Sequence, residues 1–302
     1  MKMNARSFLP LLAVAVLFAC QKERPDPIPS VPAATAPRLI MKFKFDSTQV
    51  RLGSHGEPVS VPTGHGAQSP RFNVMSAHYV EFTPTALTPL GQGDVVYTSP
   101  TTTAGGASAI DYAQEVKVGD GGTFLDIPLS SLAPGTYEWL RVSLAYQNYD
   151  VNFRYTDPTF GQFNLTGTLA SFIGVNTYIG SYQVDQQTVT VNGNRLQGYW
   201  GFEVHDPPVP LAPTTGQAPG TTVVNPLFGT SAIPAGSCVV TGGFAQPLTI
   251  TGNETQDVTI TVSLSTNKSF EWSDAADDNI YEPLAGDTVV DMGVRGLIPI
   301  VE

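Results

Sequence analysis

Several stretches of this chain alternate apolar and polar residues one by one, which is the pattern of a β-strand with one buried face. In "MKFKFDS" (Met41–Ser47) the Met and Phe residues fall on one side and the charged residues on the other. The same period recurs from Tyr137 to Tyr146 and from Val258 to Leu264. Beyond residue 20, we find no apolar stripe with the period of about 3.6 residues that a helix of useful length requires.

Turn-forming residues separate these stretches. The chain has 29 Gly and 25 Pro, and only 14% of its residues are charged, a composition typical of extracytoplasmic all-β proteins. Asn192-Gly193 suits a type I′ turn and predicts a hairpin there, and Pro247–Trp272 predicts another. We therefore expect an all-β protein, an antiparallel β-sandwich with long loops, of which the longest covers residues 205–237.

The N-terminus has the three parts of a secretory signal. Lys2 and Arg6 are followed by a run of twelve residues, Phe8–Ala19, which is shorter than the roughly 20 that span a bilayer. Cys20 comes next, and a proline-rich segment follows it. The expected organisation is a signal peptide at 1–19, a lipidated N-terminus and flexible tether at 20–37, and the sandwich at 38–302, either as one domain or as two subdomains.

"LFAC" (Leu17–Cys20) resembles the lipobox of bacterial lipoproteins, in which the cysteine thiol receives the lipid. The alternative is an ordinary signal peptide that is cut elsewhere. "QKE" (Gln21–Glu23) resembles the tag that exports lipoproteins of Bacteroidota to the cell surface. These resemblances imply lipid attachment at Cys20 and an outer-membrane lipoprotein that faces either the periplasm or the cell exterior.

"LSSLAPGTYEWLRVSLAY" (Leu129–Tyr146) resembles a segment of bacterial lipoproteins with prealbumin-like or MbnP-like β-sandwich domains, and the whole chain is similar to lipoproteins of Bacteroidota. The resemblance implies the sandwich fold. MbnP-like domains are associated with copper handling, but no ligand residues of that family match residues of this chain.

The formal net charge is −11 at pH 7, with 15 Lys and Arg residues in all. Such an acidic chain lacks the basic surface that nucleic-acid binding requires, and anionic lipid would repel it, so the anchor would hold it at the membrane. If Cys20 is lipidated, Cys238 has no disulfide partner, and we expect it to be a small buried residue of the core.

Two loops contain residue types that bind metals. Asp274, Asp277 and Asp278 lie in an acidic stretch whose carboxylate oxygens suit calcium, although a solvated acidic loop is the simpler interpretation. His55 and His65 share a glycine-rich loop, with Met75 and His78 beyond it; these ligands suit copper, but their spacing matches no known metal motif.

The sequence therefore predicts a lipid-anchored envelope protein that acts as a non-catalytic binding or structural module. Its predicted partners are the membrane, through the lipid, and an envelope protein or glycan. One alternative is a metal-handling domain for calcium or copper, and a second is a glycan-processing enzyme, because the spacing of a carboxylate pair depends on the fold. Aromatic stretches at 146–149, 176–182 and 199–202 could present flat faces to a sugar or peptide, or could belong to the core.

Overall fold

A computed structural model describes residues 36–53, 56–207, 210–218 and 238–302. Strands dominate this part of the chain, as the alternating sequence pattern predicts. The first ten are β1 (Arg38–Asp46), β2 (His65–Gln68), β3 (Arg71–Thr83), β4 (Asp94–Thr98), β5 (Thr101–Thr102), β6 (Ala109–Asp111), β7 (Lys117–Val118), β8 (Thr123–Pro128), β9 (Gly135–Asp157) and β10 (Gly161–Phe172). The others are β11 (Asn176–Gln183), β12 (Thr188–Leu196), β13 (Tyr199–Val204), β14 (Thr214–Gln217), β15 (Cys238–Ile250), β16 (Val258–Ser265), β17 (Phe270–Ser273), β18 (Thr288–Met292) and β19 (Leu297–Val301).

The strands form four sheets. The front sheet has the order β19-β16-β1-β8, and β1 and β16 run parallel in it. The central sheet has eight strands in the order β14-β13-β10-β9-β3-β4, with β15 also paired to β9 and β7 to β3. The back sheet is β12-β11-β6-β5, and a small sheet is β18-β17-β2. The prediction of an all-β, mainly antiparallel sandwich is confirmed.

The 23-residue strand β9 organises the central sheet. β15 pairs with its first half and β10 with its second half, while β3 pairs along its other side. Because a strand advances about 3.3 Å per residue, β9 is long enough to support two neighbours placed end to end.

The main core lies between the front and central sheets. Met41 and Phe43 of β1 are fully buried, and the Phe43 ring stacks on Phe124 with centroids 4.4 Å apart. Val262 and Leu264 of β16 are also fully buried. The inward faces predicted from the alternation of these two strands are confirmed.

A second core lies between the central sheet and the back sheet. Its members are mainly aromatic: Tyr146, Phe172, Tyr182, Tyr199 and the residues packed against them. Residues from all three aromatic stretches of the sequence are therefore buried within the sandwich, and Tyr149 is fully buried in the main core.

Two predicted hairpins are wrong. β12 runs through Asn192-Gly193 without turning, and Asn192 has a φ of 50° at a bulge in the pairing with β11. An extra residue in a bulge can adopt the same left-handed conformation that a type I′ turn needs, so Asn-Gly is compatible with either structure. The three strands in Pro247–Trp272 do not pair with one another either, because β15 belongs to the central sheet, β16 to the front sheet and β17 to the small sheet.

Three other predictions concern residues that lie wholly or partly outside the described ranges. Cys20, the signal peptide and most of the tether lie outside the described residues, as does His55. The 205–237 segment is described only in part, and there it includes the edge strand β14.

Residues 36–302 form one compact unit by the density of their contacts. Within the described ranges, no helix is long and apolar enough to cross a membrane.

Candidate functional site

An open cleft of about 440 Å³ lies where the small sheet meets the far end of the β9–β10 hairpin. Half of its lining residues carry a carboxamide or an aliphatic hydroxyl group: Gln68, Asn152, Asn164, Thr166 and Asn279. The other half are aromatic or aliphatic: Phe153, Leu165, Trp272, Ile280 and Tyr281. We call it the amide–aromatic cleft.

The edge of β9 beside this cleft is closed without a neighbouring strand. β3 stops pairing with β9 at Asp150. The Gln68 side chain then takes over, since its Nε2 donates to the carbonyl of Asn152 and its Oε1 accepts from the Asn152 N–H, each at 2.8 Å. Farther along, the backbone N–H of Arg154 donates to the carbonyl of Tyr281 at 2.8 Å. The backbone groups of β9 here are thus used within the protein.

Two carboxylates hold the loop between β17 and β18 in shape. Asp274 accepts a hydrogen bond from the N–H of Asn279 at 2.6 Å. Asp287 accepts from the N–H groups of Ala275 at 2.9 Å and Glu282 at 2.7 Å. Buried carboxylates that receive backbone donors fix a loop firmly, and this one carries three lining residues of the cleft, at positions 279–281.

Asn279 links that loop to the small sheet. Its Oδ1 accepts a hydrogen bond from the N–H of Ala67 at 2.9 Å, and its backbone has a φ of 57°. Asparagine tolerates this left-handed conformation better than most residues. Its Nδ2 makes no hydrogen bond within the described part of the chain.

The three aspartates predicted to bind calcium have separate environments. Asp274 is engaged by the loop backbone, Asp277 is exposed, and Asp278 accepts from the N–H of Ile280 at 2.9 Å and lies 3.6 Å from Nη1 of Arg154. Among the described residues there is no group of three or more His, Cys, Asp or Glu side chains that could hold a metal ion. The structure does not bring these aspartates together, and calcium binding by the loop stays a prediction.

The histidine loop likewise serves the structure around it. Nδ1 of His65 lies 2.5 Å from Oε1 of Glu271, whose other oxygen pairs with the guanidinium of Arg51. Arg51 and Glu271 are 5% and 4% exposed, and Nη1 of Arg295 lies 3.8 Å from Glu271. The guanidinium groups of Arg51 and Arg295 balance the buried carboxylate of Glu271. His65 also contacts this carboxylate, so it has a structural partner.

The other two copper candidates in the described chain also have ordinary structural surroundings. Met75 is fully buried in the main core. His78 lies at a bulge in the pairing of β3 with β9, where burial lowers the pKa of its imidazole to about 4. An imidazole with that pKa is neutral at pH 7.

Cys238 borders a second, much smaller cavity of about 20 Å³, which has room for a single water molecule. Burial raises the pKa of its thiol to about 12, and it also raises the pKa of Asp291, across the cavity, to about 6. A thiol that stays protonated is a poor nucleophile. The prediction of a buried core cysteine is confirmed.

The chemistry of the amide–aromatic cleft is that of neutral groups. None of the ten lining residues found in the described chain is acidic, basic or a histidine. Burial raises the pKa of Tyr281 to about 12, so its hydroxyl keeps its proton at neutral pH. Carboxamides and hydroxyls can each donate and accept hydrogen bonds, which equips the cleft for binding without proton transfer.

The aromatic wall of the cleft is held rigidly. The rings of Trp272 and Tyr281 have centroids 5.4 Å apart, and both pack on Phe270, at 6.0 and 5.1 Å. A Cβ at Gly66 would lie 2.4 Å from the Trp272 ring, so only glycine fits beside it. Rings fixed in advance lose little freedom when a ligand packs on them.

Sequence reasoning selected part of this site for another purpose. The carboxylates of the acidic stretch predict a metal site, whereas the structure places Asn279, Ile280 and Tyr281 of the same stretch in the cleft. Gln68 and Asn164 carried no sequence signal, because single amides in strands are common.

Comparisons with protein-family models, with curated proteins and with solved structures find no match to this chain.

Proposed function

We propose that this chain is a lipid-anchored β-sandwich protein of the bacterial cell envelope that acts as a non-catalytic binding module, with the amide–aromatic cleft as its ligand site. The observation that carries the proposal is the cleft itself. Its volume, about 440 Å³, lies within the range of about 300–1,000 Å³ typical of ligand sites. Its mixture of apolar surface and a few polar groups is also typical of such sites.

The nature of the lining supports binding over catalysis. General acid–base catalysis requires a group whose pKa lies near the working pH. The carboxamides, aromatic rings and hydroxyls of this cleft keep their protonation state across the physiological range. They can recognise and orient a ligand, which is the role that we assign to them.

The envelope location rests on the sequence. The apolar run Phe8–Ala19 followed by Cys20 supports lipid attachment to that cysteine. Each methylene that enters the bilayer contributes about 0.8 kcal/mol, so several acyl chains on one cysteine would hold the protein at a membrane. The proline-rich segment after Cys20 would separate the sandwich from the lipid surface.

The anchor is tested by substituting Cys20→Ala and separating the membrane and soluble fractions of the expressing cells. We expect the variant to move to the soluble fraction. Cys238→Ala is the matched control, because it removes the other cysteine and should leave the protein with the membranes. A Cys20→Ala protein that still sediments with membranes contradicts the proposed anchor.

The ligand site is tested by hydrogen–deuterium exchange on the full-length protein, with and without a solubilised cell-envelope fraction. Ligand binding in the cleft should slow the exchange of residues 164–166 and 279–281. Unchanged exchange in both segments contradicts the proposed binding function of the cleft. So does slowing that is confined to other surfaces.

A further inference from the structure

The rim of the amide–aromatic cleft carries one basic and two acidic side chains that lie close together. Arg154 follows Phe153 in β9, and its Nη1 lies 3.6 Å from carboxylate oxygens of both Asp278 and Glu282. No lining residue in the described chain is charged. A phosphate, a sulfate or a cation would therefore lose its hydration without gaining an opposite charge from the lining, and the cleft favours a neutral ligand.

Several polar groups at the cleft have no partner within the described chain. The side chain of Asn164 is exposed and makes no hydrogen bond there. Asn279 uses only its Oδ1, for the N–H of Ala67. The Nε1–H of Trp272, a residue that is 1% exposed, has no acceptor either. The carboxamide of Asn164 and the Nδ2 of Asn279 therefore remain free to bind a ligand, whereas the Trp272 donor is buried out of its reach.

Carboxamides and aromatic rings together suit a ligand with many hydroxyl groups. A carboxamide presents a donor and an acceptor side by side, and each hydroxyl of a ligand can both donate and accept. The partly exposed apolar surfaces of Leu165, Ile280 and Tyr281 can cover the C–H surfaces of such a ligand. A pyranose ring offers this combination, with hydroxyls around its edge and C–H groups on its faces.

The backbone around the cleft argues against a peptide. A peptide that adds to a sheet needs unpaired backbone donors and acceptors along an edge. At this edge the N–H and carbonyl of Asn152 are bound by Gln68, and the N–H of Arg154 is bound by Tyr281. Recognition along this edge of β9 must then rely on side chains.

From these contacts we infer that the amide–aromatic cleft binds an uncharged oligosaccharide. This inference rests on the proposed binding function and specifies the ligand for it. Asn164 supplies hydrogen bonds to hydroxyl groups, and the fixed ring of Tyr281, with Leu165 and Ile280, supplies the apolar contact.

The test is isothermal titration calorimetry of the full-length protein. The probes are uncharged hexasaccharides of glucose, mannose and xylose in different linkages, with an acidic hexasaccharide of galacturonate and a neutral hexapeptide for comparison. We expect at least one uncharged hexasaccharide to bind. Asn164→Ala should weaken that binding about tenfold, the effect of losing roughly 1.4 kcal/mol of hydrogen bonding.

Two further variants locate the site. Leu165→Lys brings a charge into the lining and should abolish binding, whereas Asn253→Ala removes an exposed amide from the loop between β15 and β16 and should leave it unchanged. If the affinity for the hexasaccharide is unchanged in both the Asn164→Ala and the Leu165→Lys proteins, the inference is overturned. Binding of only the acidic sugar or only the peptide also overturns it.

Failure of this inference can be told apart from failure of the proposed function. If no hexasaccharide binds but the envelope fraction still slows exchange at 164–166 and 279–281, the sugar is the wrong ligand class and the binding function stands. If neither effect is observed, both proposals are wrong.

Discussion

Glu115, in the connection between β6 and β7, provides a direct test of the electrostatics of this structure. It is 7% exposed, and its Oε2 accepts a hydrogen bond from the hydroxyl of Ser76 at 3.0 Å. Its Oε1 is buried without a partner in the described chain. Burial raises the pKa of Glu115 from an ordinary value of 4.5 to about 7. The replacement Glu115→Gln keeps an acceptor for Ser76 and removes the ionisation.

The raised pKa fixes the direction of the effect. Below about pH 4.5 the carboxyl is protonated in both states and contributes nothing to the pH dependence. Between about pH 4.5 and 7 the unfolded chain releases a proton that the folded protein retains, so stability falls as the pH rises. At about 1.36 kcal/mol per pKa unit, the loss amounts to about 3 kcal/mol and is complete above pH 7 or so.

The measurement is the free energy of unfolding in urea, taken from about pH 4 to about pH 8. We expect the Glu115→Gln protein to gain about 3 kcal/mol relative to the wild type over this range. Glu138→Gln, an exposed position in β9, changes the net charge equally and should produce no such trend. Parallel pH profiles for wild type and Glu115→Gln would show that Glu115 is not buried as the structure has it.

Two further predictions concern packing and buried charge, and both are read from urea unfolding. Gly242→Ala places a Cβ 2.1 Å from the carbonyl oxygen of Leu297 and should lower the free energy of unfolding by at least about 1–3 kcal/mol. A Cβ at Gly180 would have nothing within 4 Å, so Gly180→Ala should lower it by less than about 1 kcal/mol. Equal effects would contradict the described contact between β15 and β19. Arg51→Met leaves the buried Glu271 with Arg295, 3.8 Å away, as its guanidinium partner, and should lower the free energy of unfolding by about 3–5 kcal/mol. Arg38→Met, which breaks the exposed pair with Asp126, should cost about 1 kcal/mol or less, and a similar loss in both proteins would refute the assigned burial.

The sequence predicted the inward faces of strands well and their partners poorly. The alternation in β1 and β16 is a local property, so the burial of Met41, Phe43, Val262 and Leu264 followed from it directly. Pairing depends on which sheet a strand joins. The connection from β15 to β16 passes from the central to the front sheet, and nothing in its residues distinguishes that route from a hairpin.

The candidate site was largely beyond sequence reasoning. Its lining residues come from four separate parts of the chain, at 68, 152–153, 164–166 and 272–281, and share no motif. They meet because β2 pairs with β17 and the following loop bonds to the edge of β9. Only the acidic stretch drew attention, and there Asp274 proved to hold the loop in shape.

The parallel pairing of β1 with β16 has a consequence for how the protein folds. The backbone N–H of Arg38 donates to the carboxylate of Asp257 at 2.8 Å, across 219 positions of the chain. The first strand of the domain is thus synthesised long before the partner that completes its sheet, and closing so long a loop carries a large entropic cost. Contacts between distant parts of a chain also slow folding. We therefore expect the front sheet to be completed late, with the edge of β1 that faces β16 unpaired until almost all of the domain has been made, so that a newly made chain relies on chaperones to protect this strand from aggregation.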